Sequence, residues 1–207
     1  MKLGVVLLAA GASSRMGRPK MLLPWQGTTV LGHLLDQWAL LEPAFLAVVC
    51  ASDNNALHVE LDQLNFPAAQ RILNPHPQRG MFSSVQCASA WPHWPTDLTH
   101  IAVALGDQPQ VRLETLRQQM QFAAKHPDAV TQPAREGRGR HPVCLPASLF
   151  AAIAGTMSEN LKQFLLTSGT RIERWESEDA GLDLDLDEPA DYERALRLVT
   201  VGAGGRR

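Results

Sequence analysis

Continuous apolar runs alternate along the chain with segments whose apolar residues recur every three or four positions. The run Leu3–Ala10 is apolar throughout, which is typical of a parallel strand covered on both faces. The first segment with helical spacing is Thr29–Leu41. The same patterns predict further strands at Phe45–Cys50, Arg71–Leu73, His100–Leu105, Ala129–Gln132, Pro142–Leu145 and Arg171–Trp175, and further helices at Asn55–Leu64, Phe82–Ala90, Leu113–Lys125, Ser148–Ile153, Glu159–Ser168 and Pro189–Val199. Because strands and helices alternate, we expect an α/β fold with a mostly parallel central sheet.

Length, charge and cysteine content narrow the class of protein. The 207 residues suffice for a core without disulfides or metals, so we expect a single domain over residues 1–200 and a disordered, Gly-rich tail over 201–207. A net charge of -2 argues against a nucleic-acid partner, and no apolar run is long enough to span a membrane. The three cysteines are too far apart in sequence for a zinc or iron–sulfur site, and free thiols favour a cytoplasmic location.

A loop of small and basic residues, Gly11–Lys20, follows the first predicted strand. In open α/β sheets, ligands bind outside the carboxyl ends of the strands, where this loop lies. Small residues let the backbone approach a ligand, and Arg15, Arg18 and Lys20 are cationic donors for phosphate oxygens. The spacing is neither GxGxxG nor GxxxxGKS/T, so the residues alone leave a phosphate-binding loop and a mobile basic loop as equal alternatives.

A second candidate segment, Gly106–Pro109, follows the predicted strand His100–Leu105. Because the carboxyl ends of parallel strands meet at one edge of a sheet, we expect this turn to share a site with the Gly11–Lys20 loop. The carboxylate of Asp107 is suited to hold Mg²⁺ against phosphate oxygens, since Mg²⁺ prefers one or two carboxylates plus phosphates. The alternative is an aspartate that only caps the turn before the next helix.

Three further positions each allow two interpretations. Ser83 and Ser84 either cap the helix that follows or face a ligand. His141 either orders the loop before a strand or lines a ligand cleft. Alternation along Asp183–Asp187 places its three aspartates on one face, and such a cluster is costly unless it is solvated or binds a metal.

Five segments resemble the signatures of the MobA-like nucleotidyltransferases. Residues 8–20, LAAGASSRMGRPK, match the family pattern LAAGxSxRMGxxK at each fixed position, and residues 106–109, GDQP, match its GDQP or GDMP. Residues 74–85, NPHPQRGMFSSV, resemble NPxxxxGMxxSV. Residues 185–192, DLDEPADY, are similar to DIDTPEDY, with Glu188 in place of threonine. Residues 137–143, GRGRHPV, are similar to GxxGHPV, but Arg140 stands where the family has its second glycine.

The resemblance implies a three-layer, Rossmann-like nucleotidyltransferase fold and assigns roles to residues by position. It implies catalytic roles for Arg15, Lys20 and Asp107, and a Mg²⁺ site, with Mn²⁺ as an alternative, on Asp107 and Asp185. The residues that it places in contact with the nucleotide are Leu8, Ala9, Ala10, Gly11, Ser13, Arg15, Lys20, Asn74, Gly80, Ser83 and Ser84. The residues that it places on the side of the second substrate are Gly106, Gln108, Pro109, His141 and Pro142. Asp187 and Asp191 are expected to cap the last helix.

Within the family, the chain is most similar to the molybdenum cofactor cytidylyltransferases. This resemblance implies transfer of CMP from CTP to the molybdenum–molybdopterin cofactor, with release of pyrophosphate. Ala10, within LAAG, favours CTP; guanylyl transfer from GTP to the same cofactor, transfer to a sugar phosphate and a non-catalytic cofactor-binding chaperone stay open. The implied partners are CTP, the molybdopterin cofactor, and a client molybdoenzyme or its chaperone.

Overall fold

The computed structural model describes residues 1–203, without the side chains of residues 14 and 201–203, so the end of the predicted tail, 204–207, lies outside the described residues. The strands are β1 (Leu3–Leu8), β2 (Pro24–Trp25), β3 (Thr28–Thr29), β4 (Phe45–Ala51), β5 (Arg71–Asn74), β6 (His100–Leu105), β7 (Val130–Arg135), β8 (Arg138–Gly139), β9 (Val143–Pro146) and β10 (Ile172–Glu176). The helices are α1 (Val30–Ala39), α2 (Asn55–Gln63), α3 (Met81–Ser89), α4 (Leu113–Lys125), α5 (Ala147–Ala152), α6 (Leu161–Thr167) and α7 (Pro189–Ala203). The predicted bounds of β6 and α4 are confirmed to the residue.

Eight strands form one sheet in the order β10-β7-β9-β6-β1-β4-β5, with β8 paired to β7. Parallel pairing joins β1 to both β4 and β6, β4 to β5, and β7 to β10. β9 runs antiparallel between β6 and β7, and β8 is antiparallel to β7. β2 and β3 form a separate hairpin. The mostly parallel sheet predicted from the sequence is therefore confirmed.

The sheet lies between two layers of helices, and its central strands contribute side chains to both layers. Along β1, Leu3, Val5 and Leu7 pack in the core that includes α1, α2, α4 and α7, whereas Val6 and Leu8 pack in the core that includes α3, α5 and α6. All of β1 is buried, which explains its continuous apolar run. The three-layer architecture is thus confirmed. Among residues 1–203, no helix combines the length and apolarity that crossing a membrane requires.

The structure departs from the predicted elements at several boundaries. β1 ends at Leu8, so the loop begins two residues earlier than predicted. The sequence pattern does not predict the hairpin of β2 and β3, because two-residue strands are too short to show alternation. Trp25 of this hairpin is 1% exposed and packs against Tyr192, with their ring centres 6.1 Å apart. α7 continues to Ala203, four residues beyond its predicted end.

A close approach between the ends of β1 and β6 positions the candidate site. Leu8 and Leu105 are paired in register, and the amide of Gly106 donates a hydrogen bond to the carbonyl of Leu8 at 3.0 Å. A Cβ atom at Gly106 would lie 2.6 Å from that carbonyl oxygen, which is closer than a side chain tolerates. The amide of Leu186 donates to the carbonyl of Asp107 at 3.0 Å, so the acidic stretch is attached to the same turn.

We expect Gly106→Ala to lower the free energy of unfolding by about 1–3 kcal/mol, the usual cost of an overpacked site. The added methyl group must displace the backbone at the end of β1, and urea denaturation followed by circular dichroism measures the loss. Gly155→Ala is the matched control, because a Cβ atom at Gly155 meets no atom within 4 Å. Equal stability of the two variants would contradict the prediction.

The imidazole of His100 is buried and lies within hydrogen-bond distance of two oxygen atoms. The residue is 4% exposed, with Nε2 3.0 Å from the carbonyl oxygen of Pro127 and Nδ1 3.0 Å from the hydroxyl of Thr99. Burial lowers the pKa of His100 below its ordinary value of 6.5. The Pro127 carbonyl and the charge of Asp128 oppose this decrease in pKa, whereas the N-terminal amino group adds to it.

Below the ordinary pKa of histidine, the unfolded chain binds the His100 proton more readily than the native state does. We therefore expect the free energy of unfolding to fall as the pH decreases from about 7.5 to about 5.5, with this group contributing at most about 1.4 kcal/mol per pH unit. Denaturant titrations across this range should show that the free energy of unfolding changes less with pH in His100→Gln than in the wild type. His93 is exposed, so His93→Gln is the control and should keep the wild-type dependence of the free energy of unfolding on pH. The same dependence in His100→Gln as in the wild type would refute the assignment.

Candidate active site

A cavity of about 280 Å³, here called the central cavity, opens at the carboxyl ends of β1 and β6. Its wall consists of the loop from Leu8 to Gly11, Lys20 and Met21, and residues from the start of α3. Asp107 and Asp185 also line it. The loop after β1 and the turn after β6 meet here because these two strands are neighbours in one sheet.

Lys20 lies between two carboxylates. Its Nζ atom is 2.6 Å from Oδ2 of Asp107 and 3.6 Å from Oδ1 of Asp187, and its side chain is only 12% exposed. Asp187 also accepts a hydrogen bond from Nη2 of Arg15 at 2.8 Å. Arg15 and Lys20 thus form one network with two carboxylates, in which the positive and negative charges balance.

Asp187 differs from the expectation that it caps α7. Its carboxylate pairs with Arg15 and Lys20 instead, because the acidic stretch lies directly beside the loop. Asp191 does act as expected, since its Oδ2 accepts from the amide of Glu188 at 3.1 Å, just before the first residue of α7.

Asp185 is the second carboxylate of the central cavity. Its Oδ1 accepts from Nε2 of the buried Gln108 at 2.8 Å. Partial enclosure by the protein raises the pKa of Asp185, although the carboxylate is accessible from the cavity, and the negative charge of Asp107 raises the pKa further. A divalent cation at this position would relieve the repulsion between the two carboxylates.

The donor set fits a cation that is shared with a phosphate ligand. Within residues 1–203, no three His, Cys, Asp or Glu side chains are grouped to bind a metal by themselves. Asp107 and Asp185 supply two carboxylates at one cavity, so phosphate oxygens or water would have to complete the coordination. This is the coordination that Mg²⁺ adopts with nucleotides.

The loop after β1 owes its shape to its own backbone and to Ser13. Ser13 has a left-handed φ of 52°, and Gly17 has a φ of 67°. The hydroxyl of Ser13 accepts from the amide of Lys20 at 3.1 Å, which closes the loop on itself. Ser13 and Arg15 therefore surround the segment that lines the cavity and do not line it themselves.

Asn74 supports the wall of the central cavity from behind. The residue is fully buried, and its Nδ2 donates to the hydroxyls of Ser83 and Ser84 at 2.9 and 3.0 Å. Its Oδ1 accepts from the amide of His76 at 2.8 Å. Of these residues only Ser84 reaches the cavity surface, together with Gly80, whose φ of 90° turns the chain into α3. Asn74 and Ser83 lie one layer deeper than the sequence-based assignment implies.

The residues assigned to the second substrate are mostly buried. Gly106 packs on β1, and Gln108 and Pro109 are buried. Gln108, His141 and Pro142 border a space of only about 10 Å³, which is too small for a substrate. Nδ1 of His141 lies 3.2 Å from the carbonyl oxygen of Val103 and donates a hydrogen bond to it, since a carbonyl oxygen only accepts. Burial lowers the pKa of His141.

A second cavity, of about 590 Å³, adjoins the first, and we call it the basic cavity. Four cationic side chains line it: Arg138, Arg140, Lys162 and Arg174. His141 lines it as well, and no Asp or Glu of the described part of the chain does. Sequence reasoning missed Lys162 and Arg174, because both stand alone on surface elements and belong to no motif.

Asp183 links Arg140 of the basic cavity to the acidic stretch that also carries Asp185 of the central cavity. Its Oδ2 accepts from Nε of Arg135 at 2.5 Å, and its Oδ1 accepts from Nε of Arg140 at 2.6 Å. Burial opposes ionisation of Asp183, but the hydrogen bonds from the two arginines outweigh it, so the pKa is lowered. Arg140, which replaces the glycine of the resembling motif, thereby joins the β7–β8 hairpin to the acidic stretch.

The cysteines take no part in either cavity. Cys50, Cys87 and Cys144 are all free. Burial raises the pKa of Cys50 and of Cys144 to about 12, so neither thiol is ionised near neutral pH. Both side chains are fully buried and pack as small hydrophobes.

Comparison with known proteins shows which family the sequence resembles. Residues 5–172 match the MobA-like NTP transferase domain. Over 197 residues the chain is 30% identical to the molybdenum cofactor cytidylyltransferase of Escherichia coli strain K12, and the match covers 94% of this chain and 96% of that protein. Over 161 residues it is 32% identical to the nicotine blue oxidoreductase of Paenarthrobacter nicotinovorans, covering 74% of this chain and 75% of that protein.

The fold also matches a solved structure. Rv0371C of Mycobacterium tuberculosis H37Rv, crystallised in complex with manganese, superposes with a TM-score of 0.71 at 25% identity. The superposition covers 95% of this chain and 99% of that one. The family match spans well over half of the sequence and includes the loop after β1, the Asp107 turn and the β7–β8 hairpin. The chain therefore belongs to the family of proteins with a MobA-like NTP transferase domain.

Proposed function

We propose that the protein transfers CMP from CTP to the terminal phosphate of the molybdenum–molybdopterin cofactor and releases pyrophosphate. The observation that carries this proposal is the placement of Lys20, Asp107 and Asp185 around one cavity that the backbone of the first loop also lines. A cation, two carboxylates and an accessible backbone suit a nucleoside triphosphate that binds with a divalent cation. Family membership supports nucleotidyl transfer, and 30% identity to a cytidylyltransferase supports CTP and molybdopterin as substrates.

Arg15, Lys20 and the amides of the loop would bind the triphosphate. Both cations already pair with carboxylates, and phosphate oxygens are charged acceptors of the same kind. Nucleotide binding can therefore exchange Asp107 and Asp187 for phosphate oxygens as partners of these cations. Because Lys20 is largely shielded from water, its ammonium group requires such an anionic partner.

Asp107 and Asp185 would hold Mg²⁺, with Mn²⁺ as the alternative, and the manganese complex of Rv0371C supports a divalent cation in this fold. When bound, the cation acts as a Lewis acid that withdraws charge from the phosphate oxygens of the nucleotide. Gln108 would orient Asp185 through its 2.8 Å hydrogen bond. The attachment of Leu186 to Asp107 would keep the two carboxylates at a constant separation.

The proposed reaction needs no nucleophilic side chain. An oxygen of the acceptor phosphate forms a bond to the α-phosphorus of CTP, while the bond from this phosphorus to the oxygen that bridges to the β-phosphate breaks. Pyrophosphate leaves with the bonding electrons. The protein contributes positioning and charge neutralisation, consistent with the inert thiols of Cys50 and Cys144.

The alternatives differ from this proposal in measurable products. Guanylyl transfer differs only in the base, and the LAAG segment, whose Ala10 lines the central cavity, supports CTP. Transfer to a sugar phosphate also releases pyrophosphate but needs another acceptor. A cofactor-binding chaperone, or redox chemistry of the kind that the name nicotine blue oxidoreductase indicates for that relative, would release none. The free cysteines support a cytoplasmic location as a further part of the proposal.

We expect Asp107→Asn to lower kcat for pyrophosphate release by roughly 100- to 1,000-fold, the scale on which loss of one electrostatic group acts in a preorganised site. The change removes one anionic metal ligand and the closest partner of Lys20. Coupled phosphate detection with CTP and purified molybdopterin cofactor measures the rate. Asp36→Asn, an exposed change on α1, is the control and should keep wild-type activity. An Asp107→Asn protein with wild-type kcat would exclude the mechanism.

A comparison of CTP with GTP tests the choice of nucleotide. We expect kcat/KM for pyrophosphate release to be at least about tenfold higher with CTP, because a pocket built around one base leaves polar groups unpaired with the other. The assay uses the wild-type protein, molybdopterin cofactor and each nucleotide in turn. A preference for GTP would overturn the cytidylyl assignment, and the absence of pyrophosphate with every nucleotide would overturn nucleotidyl transfer itself.

A further inference from the structure

The basic cavity lies where a second substrate would have to bind. Met81, at the start of α3, lines both cavities, so a molecule in the basic cavity can reach the contents of the central one. The volume of the basic cavity, about 590 Å³, falls within the range of small-molecule sites. By contrast, the space beside Gln108 and Pro142 is about 10 Å³. The acceptor therefore has room on the side of the β7–β8 hairpin and α6.

The charge of the basic cavity is the opposite of that of the whole chain. The protein carries a net charge of -2, yet the lining of this cavity includes four cationic side chains and no carboxylate of the described residues. Asp183 neutralises Arg140 from outside. Among residues 1–203, no carboxylate oxygen lies within 4.0 Å of Arg138, Lys162 or Arg174. These three cations are available to an anionic ligand.

The three cations come from separate elements, β8, α6 and β10. They converge on one cavity only in the folded chain. Apolar side chains of Leu161, Leu165 and Ile172 line the same cavity. An apolar surface bordered by cations suits a flat ring system that carries a phosphate group, since the ring packs on the aliphatic side chains while the phosphate takes the charged donors.

We infer that the basic cavity is the acceptor site, and that Arg138, Lys162 and Arg174 bind a phosphomonoester carried on a flat ring system. This inference rests on the proposed function for the identity of the reaction, but the binding that it describes can be measured without turnover. It moves the second substrate away from Gln108 and Pro109, which are buried. It also gives Arg140 and Asp183 the role of holding the acceptor site against the acidic stretch of the central cavity.

Isothermal titration calorimetry with phenyl phosphate tests the inference. The titration is carried out with a non-hydrolysable CTP analogue and Mg²⁺ present, so that the central cavity is not available to the probe. We expect the wild-type protein to bind phenyl phosphate, and the triple variant R138Q/K162Q/R174Q to bind it at least tenfold more weakly. Glucose 1-phosphate serves as a second probe and should bind more weakly than phenyl phosphate, because its sugar gains little from an apolar surface.

Arg171→Gln is the matched control, since Arg171 precedes β10, pairs with Glu173 and does not line the cavity. It should leave the affinity for phenyl phosphate unchanged, and Arg174→Lys should retain more affinity than Arg174→Gln. No binding of phenyl phosphate by the wild type, or equal binding by the triple variant, would overturn the inference. Equal or tighter binding of glucose 1-phosphate would overturn the flat-ring part.

Turnover separates this inference from the proposed function. With purified molybdopterin cofactor, the triple variant should show a raised KM for the acceptor and an unchanged KM for CTP. If the wild type releases no pyrophosphate, the proposed function fails, whatever the calorimetry shows. If the wild type turns over and the triple variant keeps the wild-type KM for the acceptor, the acceptor site lies elsewhere.

Discussion

The contact between the ends of β1 and β6 is the constraint on which the candidate site depends. Leu8 pairs with Leu105 in parallel register, and the Gly106 amide bonds to the Leu8 carbonyl. This contact brings the first loop and the Asp107 turn to the same edge of the sheet, and it leaves no room for a side chain at Gly106. The acidic stretch then attaches to the same turn through Leu186. Every charged group of the central cavity is placed relative to this junction.

Two ion-pair networks border the site, and they position side chains more than they stabilise the fold. Lys20 lies between Asp107 and Asp187, and Asp183 lies between Arg135 and Arg140. Partly exposed pairs of this kind contribute little net free energy, because desolvation offsets much of the attraction. They do hold side chains from distant segments at defined distances. A catalyst that works by positioning and charge neutralisation requires this property.

The two adjoining cavities differ in charge, and this difference suits a transfer between two phosphate-bearing molecules. The central cavity combines carboxylates with a cation, as the proposed binding of a nucleoside triphosphate with a divalent cation requires. The lining of the basic cavity combines cations with apolar side chains and includes no carboxylate of the described residues. Asp183 accepts hydrogen bonds from Arg135 and Arg140, so the acidic stretch is attached to the hairpin that borders the basic cavity.

The sequence by itself determined the alternation of the longer strands and helices, the α/β class and the family. Apolar periodicity and contiguous motifs are local properties, and β6 and α4 could therefore be predicted to the residue. Only the tertiary structure decided which polar side chains meet. Asp187 pairs with Arg15 across 172 positions rather than capping α7, and Asn74 lies behind Ser84. Lys162 and Arg174 converge on a cavity that no motif marks, because a single charge has no periodicity and its partner is chosen by distance in space.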